Sequence, residues 1–307
     1  MTAKVIAHSV SEHGKEIITF ELVYPRMVHS ELMTHRLFSR NAASSRAIPI
    51  DKLINLVKTD CAKPVEWGLN QAGMQAKGVH KYPEICDFAW RVASRLAIVS
   101  AKMLQKLGLH KQICNRVIEP FQFIKTIVTA TELDNFFWLR DHKDADPTIR
   151  KLALEMWEAK EQSIPMFLSH GEYHLPYVGS EFVSGGMHIK YYLDENTKKG
   201  ISLKDAIKVS TSCCAQVSYR VLDDSLEKAT KIYDQLVGMS PVHASPFEHV
   251  ATPMKWPHIQ DDHWSELSAG EHIDSNGDIW SGNFKGWTQY RQQIPNNVCW
   301  DYMKGVL

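Results

Sequence analysis

The segment EIITFELVYP, residues 16–25, alternates: Ile18, Phe20 and Leu22 fall on one face, Thr19, Glu21 and Val23 on the other. A period of two predicts a half-buried strand, and Pro25, which lacks an amide hydrogen, predicts its end. From Glu84 to Leu107 the spacing becomes helical. Ile85, Phe88, Val92, Leu96, Val99, Met103 and Leu107 recur every three or four residues, and Gly108 is a suitable stop. A long amphipathic helix follows from that pattern, and LHKQICNRVIEP (109–120) predicts a short one behind it. In DADPTIRKLALEMWEAKEQ, Asp146 fits an N-cap and Pro147 the first helical position. Ser202 with Asp205 and Asp224 with Glu227 have capping-box spacing, which predicts helices near 203–214 and 225–237, the second ended by Gly238. The Gly- and Asn-rich stretch 63–78 around Trp67 reads as an ordered loop. Residues 255–285 are polar, dense in Trp and His and without periodicity, and read as an insertion or lid. No solenoid-type repeat is visible.

A chain of 307 residues can bury a sizeable core, and the reading adopted is a single domain over 1–307. Lys plus Arg equals Asp plus Glu at 35 each, so there is no overall basic field of the kind that nucleic-acid binding relies on. Any anion site must be local. The six cysteines show no metal or redox spacing, and the adjacent pair Cys213-Cys214 cannot form a CxxC motif, which predicts a reducing, cytoplasmic setting. No apolar run approaches the roughly 20 residues that span a bilayer, and the N-terminal stretch lacks a signal-peptide core. The expectation is a soluble protein with no membrane partner.

Residues 34–46, THRLFSRNAASSR, concentrate chemistry. Arg36, Arg40 and Arg46 with Ser39, Ser44 and Ser45 supply forked cations and short hydroxyls, the donors that hold phosphate oxygens. A solvated basic turn is the plain alternative.

HRLFSRNAASSR resembles the signature of the flavin-dependent thymidylate synthases, H-R-x-x-S-x-N-x-x-S-x-R, with His35, Arg36, Ser39, Asn41, Ser44 and Arg46 in register. The first position of that family's R-H-R is Thr34 here. HASPFEH (243–249) is similar to the family's H-x-S/T-P-F-E-H, AQVS (215–218) to its A-R-V-S, and NFFWLR (135–140) to its N-F-x-x-L-R. In the common form of the family the second and third of these motifs precede the signature. Here they follow it, so the order reads as permuted, as in the longer, virus-associated members.

The resemblance implies an α+β fold with an antiparallel or mixed sheet and long helices. It implies reductive methylation of dUMP to dTMP, in which methylenetetrahydrofolate gives the carbon, NADPH the electrons, and FAD relays both. It further implies a homotetramer, a pyrimidine deoxynucleoside monophosphate as ligand, and no metal. Carried over by position, His35, Arg36, Asn135, His243 and Ser245 contact the flavin. Ser44, Ser45, Arg46 and Arg116 hold the nucleotide, and Arg140 lies against the pyrimidine edge as the catalytic cation.

The departures at Thr34 and Ala42 leave two other readings open: a flavin-dependent dCMP methylase or hydroxymethylase, with Asp146 as an acceptor for the cytosine amino group, and a non-catalytic nucleotide-binding module. Arg291, in GWTQYRQQIP, is the expected substitute for the arginine missing at Thr34. His258, Asp261, Asp262, His263 and His272 match no standard zinc spacing.

Overall fold

The computed structural model describes residues 1–72, 78–183, 188–218, 222–255, 267–268 and 270–301. β1 (Thr2–Ser11), β2 (Glu16–Pro25), β3 (Ser39–Ala42), β4 (Phe123–Ala130) and β5 (Met166–Leu168) form a five-stranded sheet in the order β3-β4-β2-β1-β5. All its pairings are antiparallel except β1 with β5, so the sheet is mixed. The expected strand at 16–25 is present and ends at Pro25.

That strand is more deeply buried than the half-buried expectation. Ile18, Phe20, Leu22 and Tyr24 pack against α5 (Asp134–Arg140) and α6 (Pro147–Glu161), through Phe136, Ile149, Leu152 and Met156. On the opposite face Ile17 joins Leu168, Ala251, Phe284 and Trp287. Segments from the far C-terminal region thus cover the side that alternation leaves to water. At α6 the side chain of Asp146 accepts from the amides of Thr148 at 2.7 Å and Ile149 at 3.3 Å, with Pro147 at the first turn as expected.

α2 (Ile50–Thr59), α3 (Pro83–Lys106) and α4 (Lys111–Val117) form a second apolar layer through Leu53, Ile54, Ile98, Cys114 and Ile118. The helix predicted over 84–107 is there, and Gly108 follows it at φ +81°. Its predicted apolar stripe nevertheless faces outward: Ile85, Phe88, Leu96, Val99, Met103 and Leu107 are each 59–69% exposed, while Ser94, Ile98 and Ala101 face the chain's own core. The periodicity is real, but among the described residues its stripe has no cover within one chain.

β6 (Gly179–Phe182), β7 (Ile189–Tyr192) and β8 (Gly200–Ile201) make a small antiparallel sheet beside α7 (Leu203–Ala215) and α8 (Leu226–Gly238). Ser202 caps α7 by accepting from the Asp205 amide at 3.1 Å. The cap of α8 is Ser225, not Asp224: its hydroxyl accepts from the Lys228 amide at 3.4 Å, and Gly238 is the helix's last residue.

The stretch 255–285 is not irregular where it is described. β10 (Glu271–Ile273), β11 (Ile279–Ser281) and β12 (Phe284–Lys285) form an antiparallel meander, and β13 (Trp287–Gln289) pairs with β9 (Ala251–Pro253). Strands of two or three residues are too short to display alternation. What organises them is Asp274, which accepts from the Asn276 amide at 2.8 Å, the Asp278 amide at 3.0 Å and Trp280 Nε1 at 2.9 Å. His258, Asp261, Asp262 and His263 lie outside the described residues. No helix among the described residues is long and apolar enough to cross a membrane.

Candidate functional site

The Arg/Ser stretch leaves the short helix α1 (His29–Met33) and runs into the edge strand β3. Arg40 holds this turn from behind, with Nη1 donating to the carbonyls of Met33 at 2.8 Å and His35 at 3.1 Å. His35 is buried, lying against Phe38 and edge-on to Phe136 at a centroid distance of 4.9 Å.

Two polar side chains of β3 and one backbone amide just after it bind the C-terminal half of the chain. Ser39 Oγ donates to Asn283 Oδ1 at 3.1 Å and accepts from Gln289 Nε2 at 3.1 Å. Asn41 Nδ2 donates to the Cys214 carbonyl at 3.2 Å, and the Ser44 amide donates to Ser218 Oγ at 2.9 Å. Buried polar groups of this kind are costly when unpaired, so each bond also fixes register. The 3-10 turn Ser245–His249 packs against β3 and α7.

The turn is tied down by its last residue. His249 Nδ1 bonds Thr129 Oγ1 at 2.8 Å, and Thr129 bonds Thr19 at 2.7 Å. Thr19 in turn bonds His174 Nε2 at 2.8 Å, whose Nδ1 reaches Ser9 Oγ at 2.9 Å. Burial lowers the pKa of both His174 and His249 to about 3, so the chain of bonds is built from neutral imidazoles.

These contacts close a cleft of about 480 Å³. Arg40, Ala42, Ser44 and Arg46 line one wall, Ala215, Gln216, Val217 and Ser218 the next, and His243, Ser245 and Pro246 the third. Gln235 and Met239 of α8 complete it. Two arginines, several hydroxyls and amides, and no carboxylate among these lining residues give it the donors that suit an anion. HASPFEH and the Arg/Ser stretch therefore share one cavity within a single chain.

The fourth motif meets the first through Arg140. Its Nε donates to His35 Nε2 at 2.9 Å, Nη1 to Glu31 Oε2 at 3.0 Å, and Nη2 to Thr34 Oγ1 at 3.0 Å. Burial, then the charges of Arg140 and Arg40, lower the His35 pKa to about 4. The imidazole is neutral at physiological pH.

The remaining carried-over residues are spread more widely. Arg36 is exposed on the turn after α1, Asn135 is exposed in the first turn of α5, and Arg116 is exposed in the last turn of α4. None of the three lines the cleft, and neither do His35, Ser45 or Arg140; of the carried-over residues Ser44, Arg46, His243 and Ser245 do. Ser45 turns inward, its Oγ donating to Glu119 Oε1 at 2.5 Å while Glu119 also pairs with Arg26 at 3.2 Å. Arg291 binds Glu248 and donates to the Asn297 carbonyl at 3.2 Å; among its hydrogen bonds none goes to Thr34.

Sequence reading did not find Glu31, Asn283 or Gln289. Glu31 and Asn283 lie outside the motifs and Gln289 stands in GWTQYRQQIP beside Arg291, and only the folded chain shows that each touches the signature stretch.

No curated protein matches the chain. Among solved structures, the UMP/dUMP methylase PolB from Streptomyces cacaoi bound with 5-Br UMP is similar at 20% identity, over 52% of this chain and 88% of that one, with a TM-score of 0.43. The same enzyme bound with 5-Br dUMP gives 16% identity, 52% and 90% coverage and a TM-score of 0.44. The flavin-dependent thymidylate synthase ThyX from Helicobacter pylori complexed with FAD and dUMP gives 16% identity, 47% and 67% coverage and a TM-score of 0.32. The profile of the family described as thymidylate synthase complementing protein matches residues 2–166, a span that holds the signature stretch and NFFWLR. Residues 215–218 and 243–249 lie beyond that span. Because the match extends over more than half of the sequence, the chain belongs to the thymidylate synthase complementing proteins, the flavin-dependent thymidylate synthase family.

Proposed function

We propose that the chain converts dUMP to dTMP, with methylenetetrahydrofolate as carbon donor and NADPH as reductant, in the cleft between the Arg/Ser stretch and HASPFEH. The observation that carries this reading is that cleft: Arg46, Ser44, His243 and Ser245, drawn from both ends of the sequence, face one cavity. Its donors suit a nucleotide phosphate, which takes bidentate arginine and short hydroxyls.

The side chains around it supply no thiolate. Cys213 and Cys214 are fully buried, and burial pushes the Cys213 thiol up to about 12. A bound flavin supplies the two-electron and one-carbon chemistry that the side chains lack. His35, Arg36, Asn135, His243 and Ser245 are the residues proposed to hold it. Asn135 and Arg36 are exposed outside the cleft, a placement that suits a site completed by another subunit. Arg140 is proposed to place its permanent charge where negative charge develops on the pyrimidine ring as C5 becomes nucleophilic. Ser44, Ser45, Arg46 and Arg116 are assigned to the nucleotide, Ser45 through the backbone it fixes.

The outward stripe of α3 supports a homotetramer. Its 24 residues give about 36 Å of helix with large apolar side chains on the solvent side, more than a monomer needs to expose. A second copy of the same self-complementary surface is the economical cover.

The experiment is to mix the protein with FAD, NADPH and methylenetetrahydrofolate, add dUMP or dCMP in parallel, and identify the product nucleotide by mass. A mass gain of one methylene on dUMP supports the reading. A product from dCMP alone, or a hydroxymethyl adduct, replaces it with the cytosine or hydroxymethylase alternative, and the absence of any product with FAD bound favours the non-catalytic one.

A further inference from the structure

Position 34, where the family's first signature arginine stands, is a threonine, and the structure places a different guanidinium there. Arg140 Nη2 reaches Thr34 Oγ1 at 3.0 Å and the Glu31 carbonyl at 3.4 Å. Its Nη1 and Nε reach Glu31 Oε2 at 3.0 Å and His35 Nε2 at 2.9 Å.

The donors and acceptors can be counted. An arginine carries five N–H groups and no acceptor. Because Nε–H donates to His35 Nε2, that nitrogen is an acceptor and the imidazole proton sits on Nδ1. Thr34 donates its own hydroxyl hydrogen to the Glu31 carbonyl at 2.7 Å, so its lone pairs are what Arg140 meets. Four of the five N–H groups of Arg140 are thereby engaged, and the one left over is on Nη1.

We propose that Glu31 and Thr34 are positioning residues: with His35 they form an acceptor clamp on one turn that fixes the guanidinium of Arg140, so that Thr34 exchanges a separate cation for a grip on this one. The inference rests on the reading of Arg140 as the ring-facing charge. A fixed charge needs no reorganisation when the ring becomes anionic, whereas a mobile guanidinium must first be ordered. A second arginine at position 34 removes the hydroxyl acceptor and brings a like charge beside Arg140, competing for Glu31.

This leads to an outcome opposite to that expected of a defect. Restoring the family residue, Thr34→Arg, lowers turnover rather than raising it. Thr34→Val keeps shape and removes only the hydroxyl, and Thr34 is exposed, so neither variant disturbs a core.

The test measures kcat for dUMP, the dUMP Kd from the flavin absorbance change, FAD content and Tm for wild type, Thr34→Val, Thr34→Ser, Thr34→Arg and Glu31→Gln. The clamp predicts that Thr34→Val loses about tenfold in kcat, the size of one hydrogen bond to a charged group, with Kd within about twofold. Thr34→Ser returns to within about twofold of wild type. Thr34→Arg and Glu31→Gln fall at least as far as Thr34→Val, with FAD content and Tm unchanged. Thr34→Arg at or above wild-type turnover, or Thr34→Val indistinguishable from wild type, overturns the clamp while leaving the nucleotide chemistry intact. A wild-type protein that neither binds nor methylates a pyrimidine nucleotide overturns the reading of the reaction, and the clamp's role with it.

Discussion

The amide of Ser44 donates to the hydroxyl of Ser218 at 2.9 Å, across 174 residues of sequence. Three residues earlier, within β3, Asn41 Nδ2 reaches the Cys214 carbonyl, and Ser39 is held by Gln289. The edge strand β3 and the residues just after it are thus bonded to the last turn of α7, to the 3-10 turn Gln216–Ser218 that follows it, and to β13. These bonds make the cleft, because the same short segments carry Arg40 and Arg46 on one wall and Gln216 and Val217 on another.

Asn41→Ala should therefore cost stability as well as nucleotide affinity. Asn41 is buried, and removing its amide leaves the Cys214 carbonyl without that donor, a loss on the order of 1 to 3 kcal/mol. Chemical denaturation measures the first effect and dUMP titration the second. Unchanged stability would show that the bond does not hold the two segments together.

Arg140→Ala should fold and bind FAD but lose most of its turnover, on the order of 100-fold or more in kcat, since Arg140 is the partly exposed last residue of α5 and is proposed to direct its charge at the ring. Near-normal kcat in this variant would remove Arg140 from the chemistry. It should also free His35 from a neighbouring cation, so the imidazole pKa should rise from about 4 towards its ordinary value, which proton-coupled NMR of labelled histidine detects.

Acid should destabilise the protein before its carboxylates titrate. His35, His174 and His249 all have folded-state pKa values below the unfolded value of about 6.5, at about 4, 3 and 3. A group depressed in this way takes up protons only in the unfolded state between those limits. Stability is accordingly full above pH about 6.5 and falls as the pH drops towards 4. Tm measured from pH 7.5 to 5 should decline, and His174→Gln should flatten the decline. A Tm that is level across this range would contradict the neutral assignment.

The stripe on α3 gives a prediction about mass. Leu96→Glu or Val99→Glu, each on the exposed face, should leave the fold intact and shift the particle towards smaller species in light scattering at micromolar concentration. A wild-type monomer under the same conditions, with FAD present, would count against the homotetramer.

Several elements were legible from pattern alone. The strand at 16–25, the helix after Tyr82 and the capped helix at 147 follow from alternation, helical spacing and an Asp-Pro start, all local properties. The direction of the α3 stripe was not legible, since periodicity reports that a face is apolar and says nothing about whether its cover comes from the same chain. The meander at 271–285 was missed because strands this short carry no period. In the site, the four motifs could be recognised and their convergence expected, and the cleft brings three of them together while Arg140 joins the fourth to His35. What no local pattern could reveal were contacts such as Glu31 with Arg140, Asn283 with Ser39 and Arg291 with Glu248, which exist only once remote segments pack. Arg291, expected beside Thr34, is engaged at Glu248, and Arg140 stands in the place foreseen for it.

The cleft between residues 40–46 and 243–246 is proposed as a pyrimidine nucleotide site. Titrating dUMP into the FAD-loaded protein and following the flavin absorbance tests it most directly, with Arg46→Ala as the paired variant. A saturable change is expected in wild type, with at least a tenfold weaker Kd in Arg46→Ala, about 1.4 kcal/mol, and FAD stoichiometry unaltered. Equal dUMP affinity in the two proteins, or no nucleotide-dependent change in a fully FAD-loaded wild type, would contradict it.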